Sequence, residues 1–114
     1  MINFINDNIS APFLEFKKKY NQAINSEQSS VDAICISSFN KSLNEVNSRY
    51  VNLKIIDNDE FIFFTNYNSP KSVEFYSHNQ IAAVFFWESI NTQIRIKAKI
   101  KKTTSEYNQK YFFE

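Results

Sequence analysis

The chain has 114 residues and a mass of 13.5 kDa, 43% of its residues are hydrophobic, and its formal net charge is +1. This length suits a single core, and we predict one domain over residues 1–114. The near-zero charge excludes an overall field that attracts nucleic acid or anionic membranes. The apolar runs are far shorter than the roughly 20 residues of a membrane span, and no secretory leader is recognisable, so we expect a cytoplasmic protein without membrane or nucleic-acid partners.

Glycine is absent from the sequence, and there are only 2 prolines. Turns that need a positive φ must therefore use asparagine or aspartate, the next most tolerant residues. Glycine-rich phosphate loops are also excluded, so a bound nucleotide must be held in another way. The single cysteine, Cys35, lies in an apolar run. We expect it to be a buried small side chain, with no disulfide within the chain and no cysteine-based metal site.

The first predicted element is a helix over residues 11–25. Ser10 is its expected N-cap, and Pro12 falls in the first turn, where a missing N–H costs nothing. Its apolar and aromatic residues recur at helical spacing: Phe13, Phe16, Tyr20 and Ile24.

After residue 30 the chain changes to runs rich in isoleucine, valine and phenylalanine. These runs predict five strands, over residues 32–39, 48–57, 60–66, 80–87 and 92–102, with a tight hairpin at residues 57–59. In the last strand apolar residues alternate with Arg95, Lys97, Lys99 and Lys101, which predicts one buried face and one basic, solvated face. Two further helices are predicted over residues 70–77 and 104–112. The fold class is therefore mainly β with flanking helices, a small Greek-key antiparallel barrel rather than a sandwich.

Three segments carry polar groups that interrupt this pattern. Arg49 and Lys54 share one strand at a spacing that places them on opposite faces, unless a bulge intervenes. Ser69 and Lys71 open a predicted helix, where free backbone N–H groups favour phosphate, although an ordinary capped helix explains the same pattern. Gln93 follows an aromatic cluster, and an edge glutamine is its simpler explanation. The lysines of residues 97–102 suggest RNA binding that weakens steeply with salt, but alternation and net charge favour a solvated strand face.

Five short motifs follow one another in the chain: Arg49-Tyr50-Val51-Asn52-Leu53-Lys54, Phe64-Thr65-Asn66, Ser69-Pro70-Lys71, Gln93-Ile94-Arg95-Ile96 and Tyr111-Phe112. In order and spacing they resemble the FMN-binding half of the pyridoxine/pyridoxamine 5′-phosphate oxidase family. The strand over residues 80–87, which ends at Trp87, is similar to a strand of the same family. The similarity covers about residues 11–114. It implies an FMN-binding split β-barrel that dimerises around two flavins.

The resemblance also implies roles for individual residues. Arg49, Ser69 and Lys71 would hold the FMN phosphate, and Gln93 would hydrogen-bond to the flavin ring. Lys54 and Tyr111 would contact the phosphate of a vitamin B6 substrate. The resemblance identifies no catalytic residue and no metal site. The remaining cofactor-binding residues that it implies are Tyr50, Val51, Asn52, Leu53, Phe64 and Thr65.

The activity implied by the resemblance is FMN-dependent oxidation of pyridoxamine or pyridoxine 5′-phosphate to pyridoxal 5′-phosphate by O₂. The alternative is a non-catalytic protein that binds flavin or another phosphate ligand. Pro70 stands where the family has an arginine, which removes a cation from the phosphate site. The sequence ends at Glu114, before the family's substrate-phosphate residues and C-terminal region. It also begins too close to the first helix to contain the family's N-terminal substrate-covering segment. We therefore expect the FMN half to be retained and most of the substrate half to be missing.

Overall fold

The computed structural model describes residues 1–64, 79–102 and 110–113, with the backbone alone described at residues 64, 101, 102 and 110–113. A short 3₁₀ turn, Glu88–Ile90, connects the strand that ends at Trp87 to the strand that begins at Thr92. The elements in chain order are β1 (Asn3–Ile5), α1 (Ala11–Asn25), β2 (Ala33–Asn40), β3 (Glu45–Asp57), β4 (Glu60–Phe64), β5 (Gln80–Trp87), β6 (Thr92–Lys102) and β7 (Lys110–Phe113).

The predicted helix over residues 11–25 is confirmed at both ends, with Ser10 at the N-cap position and a proline in the first turn. The five predicted strands correspond to β2 through β6, and β3 begins earlier than predicted, at Glu45. The predictions for residues 65 and 66 and for a helix over 70–77 lie outside the described residues. Within the described ranges, no helix is both long and apolar enough to cross a membrane.

The strands form two sheets that share β3 and β6. In the first sheet, residues 45–52 of β3 pair with β2, β2 pairs with β5, and β5 pairs with residues 92–99 of β6. In the second sheet, residues 53–57 of β3 pair with β4, β4 with β7, and β7 with residues 100–102 of β6. All of these pairings are antiparallel. Because β3 and β6 change partners along their length, the pairings lead from β3 through β2, β5, β6, β7 and β4 back to β3, as in a split barrel.

Helix α1 packs its aromatic side chains against the inner faces of both sheets. The ring centroid of Phe16 lies 5.7 Å from that of Phe61 on β4 and 5.4 Å from that of Phe85 on β5. Trp87 is 1% exposed, and its Nε1 donates a hydrogen bond of 2.9 Å to the carbonyl oxygen of Val31. Full burial of an aromatic side chain of this kind contributes about 1.5–3 kcal/mol, so this cluster is a main source of stability.

Tyr20 connects α1 to the start of the chain through its buried hydroxyl. The hydroxyl accepts a hydrogen bond of 2.7 Å from the backbone N–H of Ile2 and donates one of 2.6 Å to Oδ1 of Asp32. Burial and the neighbouring Asp32 raise the pKa of Tyr20 to about 12. This connection fixes the segment leading to β1, which pairs in parallel with residues 55–57 of β3.

Two parts of the topology differ from the sequence-based predictions. The predicted helix over residues 104–112 is wrong at its C-terminal end, because residues 110–113 form β7 between β4 and β6. Three successive aromatic residues have high strand propensity, and two neighbouring strands provide hydrogen-bond partners for their backbone. Strand β1 was not predicted, because three residues are too few to show an alternating pattern.

Asparagine takes most of the turn positions that would ordinarily favour glycine, as predicted. In the described part of the chain, Asn6, Asn44, Asn58 and Asn91 have a positive φ, together with Glu27 and Ser30. Asn58 occupies the predicted hairpin between β3 and β4, with a φ of 54°. The absence of glycine therefore moves the left-handed backbone positions mainly onto asparagine, whose side chain tolerates this region best.

Candidate functional site

Strand β3 carries most of the predicted cofactor-binding residues, and its side chains alternate between the two faces of the first sheet. Val51 and Leu53 are buried on the inner face, with exposed fractions of 9% and 0%. Tyr50 and Asn52 are exposed on the outer face, and Tyr50 is 75% exposed. The structure therefore divides this run of predicted site residues between two faces.

Arg49 belongs to the inner face, and its side chain extends towards the row of Ser38 and Ile81, away from the aromatic cluster. It is half-buried and pairs across the strands with the fully buried Ile36. Its Nη1 donates a hydrogen bond of 2.7 Å to Oγ of Ser38, a residue only 2% exposed. The guanidinium is therefore held by a buried neutral group near the end of the split barrel. We call this pair, Arg49 and Ser38, the cationic end.

Ser38 was not identified from the sequence, although a signal for it is present. The inner-face positions of β2 are Ile34, Ile36, Ser38 and Asn40, so two polar residues occupy buried positions in an otherwise apolar alternation. Buried hydroxyl and amide groups are costly unless they form hydrogen bonds. Such a break in alternation is the feature that would have marked this end of β2.

Lys54 lies at a β-bulge in β3. The register with β4 shifts between Leu53 and Ile55, which leaves Lys54 as the extra residue. Lys54 is exposed and follows the outward-facing Asn52 in a regular alternation, whereas Arg49 lies on the inner face. The bulge therefore falls too late along β3 to bring the two cations onto one face. The backbone N–H of Leu53 is used in a hydrogen bond of 2.9 Å to the carbonyl oxygen of Asp32.

The two predicted substrate-binding residues, Lys54 and Tyr111, are on strands separated only by β4. Leu53 pairs with Phe63, and Phe63 pairs with Tyr111. At a strand spacing of about 4.8 Å, these backbones are on the order of 10 Å apart. Phe64 ends β4 beside this row. The predicted site residues Thr65, Ser69 and Lys71 lie outside the described residues.

Gln93 lies far from Arg49 within one chain. The row of paired residues that starts at Arg49 runs through Ile36 and Ala83 to Ile96 on β6. Gln93 is exposed on the other face of β6, beside Phe86. The two predicted cofactor-binding residues are therefore separated by the width of the first sheet and lie on opposite faces of it.

The outer face of the first sheet carries a shallow depression of about 510 Å³. Cys35 lies in it half-buried, opposite to the buried Ile34 and Ile36, so the expectation of a buried cysteine is wrong. Strand alternation explains this position, because Cys35 lies between the two inward-facing isoleucines.

The predicted basic face of β6 is confirmed for its described side chains, since Arg95, Lys97 and Lys99 are all exposed. The other lining residues include Ser37, Ala82 and Val84.

Comparison with known proteins supports the resemblance found in the sequence, although no family model matches the chain. The chain is 34% identical over 102 residues to the pyridoxine/pyridoxamine 5′-phosphate oxidase of a Nostoc species. This match covers 90% of the chain and 47% of the Nostoc protein. A second such oxidase, from Leptospira interrogans, is 33% identical and is matched over 50% of its length. The chain thus spans about half the length of the curated relatives it matches.

Solved structures share the fold. The structure of PhzG from Burkholderia lata, in complex with tetrahydrophenazine-1-carboxylic acid, superposes with a TM-score of 0.78 at 19% identity, over 83% of this chain and 46% of that one. A pyridoxamine 5′-phosphate oxidase-related FMN-binding protein from Nostoc punctiforme superposes with a TM-score of 0.70 at 11% identity, over 85% of this chain and 52% of that one. The predicted split barrel is therefore confirmed. In sequence, the chain is therefore similar to the pyridoxine/pyridoxamine 5′-phosphate oxidases over about half of their length, and it shares its fold with PhzG and the FMN-binding protein from Nostoc punctiforme.

Proposed function

We propose that this chain binds FMN and forms the FMN-binding half of a flavin-dependent oxidoreductase related to the pyridoxine/pyridoxamine 5′-phosphate oxidases. The observation that carries the proposal is the half-buried guanidinium of Arg49, held by Ser38 at the cationic end of the barrel. Arg49 also opens the first of the motifs that resemble the family. The similarity to named oxidases over 90% of the chain supports the same assignment.

The residues present fit the phosphate of FMN. A guanidinium presents several N–H donors in a fixed plane, which suits the oxygens of a phosphate. Partial burial strengthens the attraction, because less water screens the two charges. We assign Ser69 and Lys71 to the same phosphate, on the strength of the sequence motif that contains them. This assignment gives a phosphate site built without glycine.

The backbone of β3 fits the flavin ring. Among the described strands, only β2 pairs with residues 45–52 of β3. The second edge of this stretch therefore carries backbone donors and acceptors that no described strand uses, beside Val51 and Asn52. FMN supplies the hydride chemistry when it is bound. The role of Arg49, Val51 and Asn52 is to bind and orient it.

We assign Gln93 to the flavin of a second copy of the chain. Within one chain, Arg49 and Gln93 lie on opposite faces of the first sheet, so one small ligand does not reach both. A homodimer that buries the outer face would bring Gln93 of the partner subunit to the flavin held by the first. The outer face carries exposed aromatic side chains that such an interface could bury, since Phe86 is 60% and Tyr50 75% exposed.

The dimer is tested by introducing a charge into the centre of the outer face. Val84 lies in the depression, in line with Cys35 and Arg95. Val84→Glu should turn a dimer into a folded monomer, because a carboxylate at this position is hydrated in the monomer and loses that water when an interface buries it. Light scattering after gel filtration measures the mass, and circular dichroism measures the fold. A wild-type protein that is monomeric at high concentration would contradict the homodimer.

FMN binding is tested by titrating the purified protein while following flavin fluorescence and melting temperature. A ligand that binds only the folded state must raise the melting temperature by mass action. Binding at micromolar FMN supports the proposal, and no binding at high FMN contradicts it.

Turnover is a separate question, because the chain matches only about half of each oxidase. Lys54 and Tyr111 are assigned to the phosphate of a vitamin B6 substrate. Incubation of the FMN-loaded protein with pyridoxamine 5′-phosphate and O₂ should form pyridoxal 5′-phosphate and H₂O₂. FMN binding without this reaction would assign the chain a flavin-binding role and no oxidase activity of its own.

A further inference from the structure

Ser38 is a buried polar residue on a strand face that is otherwise used for packing. It follows Ile34 and Ile36 on the inner face of β2, both of which are 0% exposed. A small apolar residue at this position would continue the core without a hydroxyl to satisfy. Burial of a hydroxyl is unfavourable unless hydrogen bonds compensate for the lost water. The hydroxyl therefore needs an explanation beyond packing.

The geometry links this hydroxyl to the side chain of Arg49. Ser38 pairs with Asn47 and Ile36 with Arg49, so Arg49 reaches diagonally across the two strands to Ser38. The distance between Nη1 and Oγ is 2.7 Å, which is short for a nitrogen donor. An arginine side chain has many rotamers, and a fixed partner lowers the entropy that a ligand must remove on binding. Because the acceptor is a hydroxyl, this contact orients the guanidinium and adds no negative charge of its own.

Elsewhere in the structure, a lysine is held by a carboxylate instead of a neutral hydroxyl. Nζ of Lys17 lies 3.1 Å from Oδ2 of Asp7, so that cation is held by an anion at the surface. A cation held in this way offers less net attraction to a second anion. The Ser38 contact instead places a neutral oxygen against the guanidinium.

We propose that Ser38 is a positioning residue that sets the orientation of Arg49 for the phosphate of the cofactor. The inference rests on the proposed FMN-binding function and adds a residue to it. Ser38 itself does not need to touch the ligand. Replacing Ser38 should therefore lower the affinity only for a ligand that carries the phosphate, and only while Arg49 is present. It should not change the affinity for the flavin ring.

The test compares FMN with riboflavin, which has the same ring and lacks the phosphate. Ser38→Ala should weaken FMN binding by about tenfold, a usual effect of removing a group that orients a ligand-binding side chain. Riboflavin affinity should stay within about twofold of wild type, since no phosphate is present to be oriented. Ser38→Thr keeps the hydroxyl and should restore most of the FMN affinity. Ser89→Ala removes an exposed serine hydroxyl far from this site and serves as the matched control.

A double variant separates positioning from general loss of structure. In the Arg49→Ala background, Ser38→Ala should cause no further loss of FMN affinity, because the side chain it orients is gone. Unchanged FMN affinity in Ser38→Ala, or equal losses for FMN and riboflavin, would overturn the inference. A further loss in the double variant would also overturn it. Wild-type protein that binds no FMN would overturn the proposed function first, and this inference with it.

Discussion

The inner face of the first sheet has two ends with opposite chemistry. At one end Phe85 and Trp87 of β5 pack beneath α1 and are almost completely buried. At the other end, Ser38 and Arg49 form the cationic end. Ser38 pairs with Ile81 of β5, which is six residues from Trp87 and on the order of 20 Å from it, whereas the row of Arg49 passes through Ala83, two residues from Phe85. The aromatic end gains stability from burial, whereas the cationic end retains a charge and a buried hydroxyl, which is the expected cost of a binding site.

The largest expected effect is on stability, at the aromatic end. Trp87→Ala should lower the free energy of unfolding by about 3–5 kcal/mol, because it removes a buried ring and leaves a cavity. Urea denaturation followed by circular dichroism measures the loss. Leu14→Ala, on the exposed side of α1, is the control and should change stability by less than about 1 kcal/mol. Equal losses in the two variants would show that the buried aromatic side chains contribute no more to the free energy of unfolding than an exposed leucine does.

The next effect is on binding, at the cationic end. Arg49→Ala should weaken FMN binding by about 1.5–3 kcal/mol, the usual contribution of a charged hydrogen bond. Folding stability should fall less than in Trp87→Ala, since Arg49 is only half-buried and its removal takes one hydrogen bond from the buried Ser38 hydroxyl. Fluorescence titration and denaturation of the same samples give both quantities. Lys18→Ala removes the same charge from an exposed position and should leave FMN affinity unchanged. A large stability loss in Arg49→Ala would remove the distinction between the two ends.

Tyr20→Phe should cause a smaller loss at the aromatic end. The hydroxyl links the Ile2 backbone N–H to Asp32, and its removal leaves both groups without this partner. Loss of such a buried hydrogen bond costs about 1–3 kcal/mol. Thermal denaturation measures the change, with Tyr50→Phe at an exposed tyrosine as the control. A Tyr20→Phe variant as stable as wild type would show that the buried link contributes little.

The smallest expected effect is the pH dependence that Tyr20 adds. Burial and Asp32 raise its pKa from the ordinary 10.0 to about 12, so the folded state favours the neutral phenol. This stabilisation is fully present below the unfolded pKa and is lost as pH rises from about 10 to about 12. Unfolding free energies measured across this range should fall less steeply in Tyr20→Phe than in wild type. Parallel slopes would contradict the assignment.

Local patterns in the sequence were sufficient for most elements. The spacing of Phe13, Phe16 and Tyr20 predicted α1, and the same residues face the core in the structure. The alternation along β6 predicted which of its side chains are exposed. The ordered motifs predicted the split barrel that the structural neighbours confirm.

Local patterns were insufficient where a residue's environment depends on distant parts of the chain. Residues 110–112 were predicted as part of a helix, but the backbone of residues 110–113 pairs with both β4 and β6. Cys35 was predicted to be buried because its neighbours are apolar, yet alternation places it on the outer face. Hydrophobicity along a sequence does not state which face of a sheet is covered.

The sequence by itself determined the helix, five of the described strands and the motifs that mark a relative of the pyridoxine/pyridoxamine 5′-phosphate oxidases, because these depend on residue type and short-range spacing. Only the tertiary structure decided that Ser38 meets Arg49 and that Gln93 lies on the opposite face. These outcomes depend on strand register, which is set by the pairing of segments far apart in the chain.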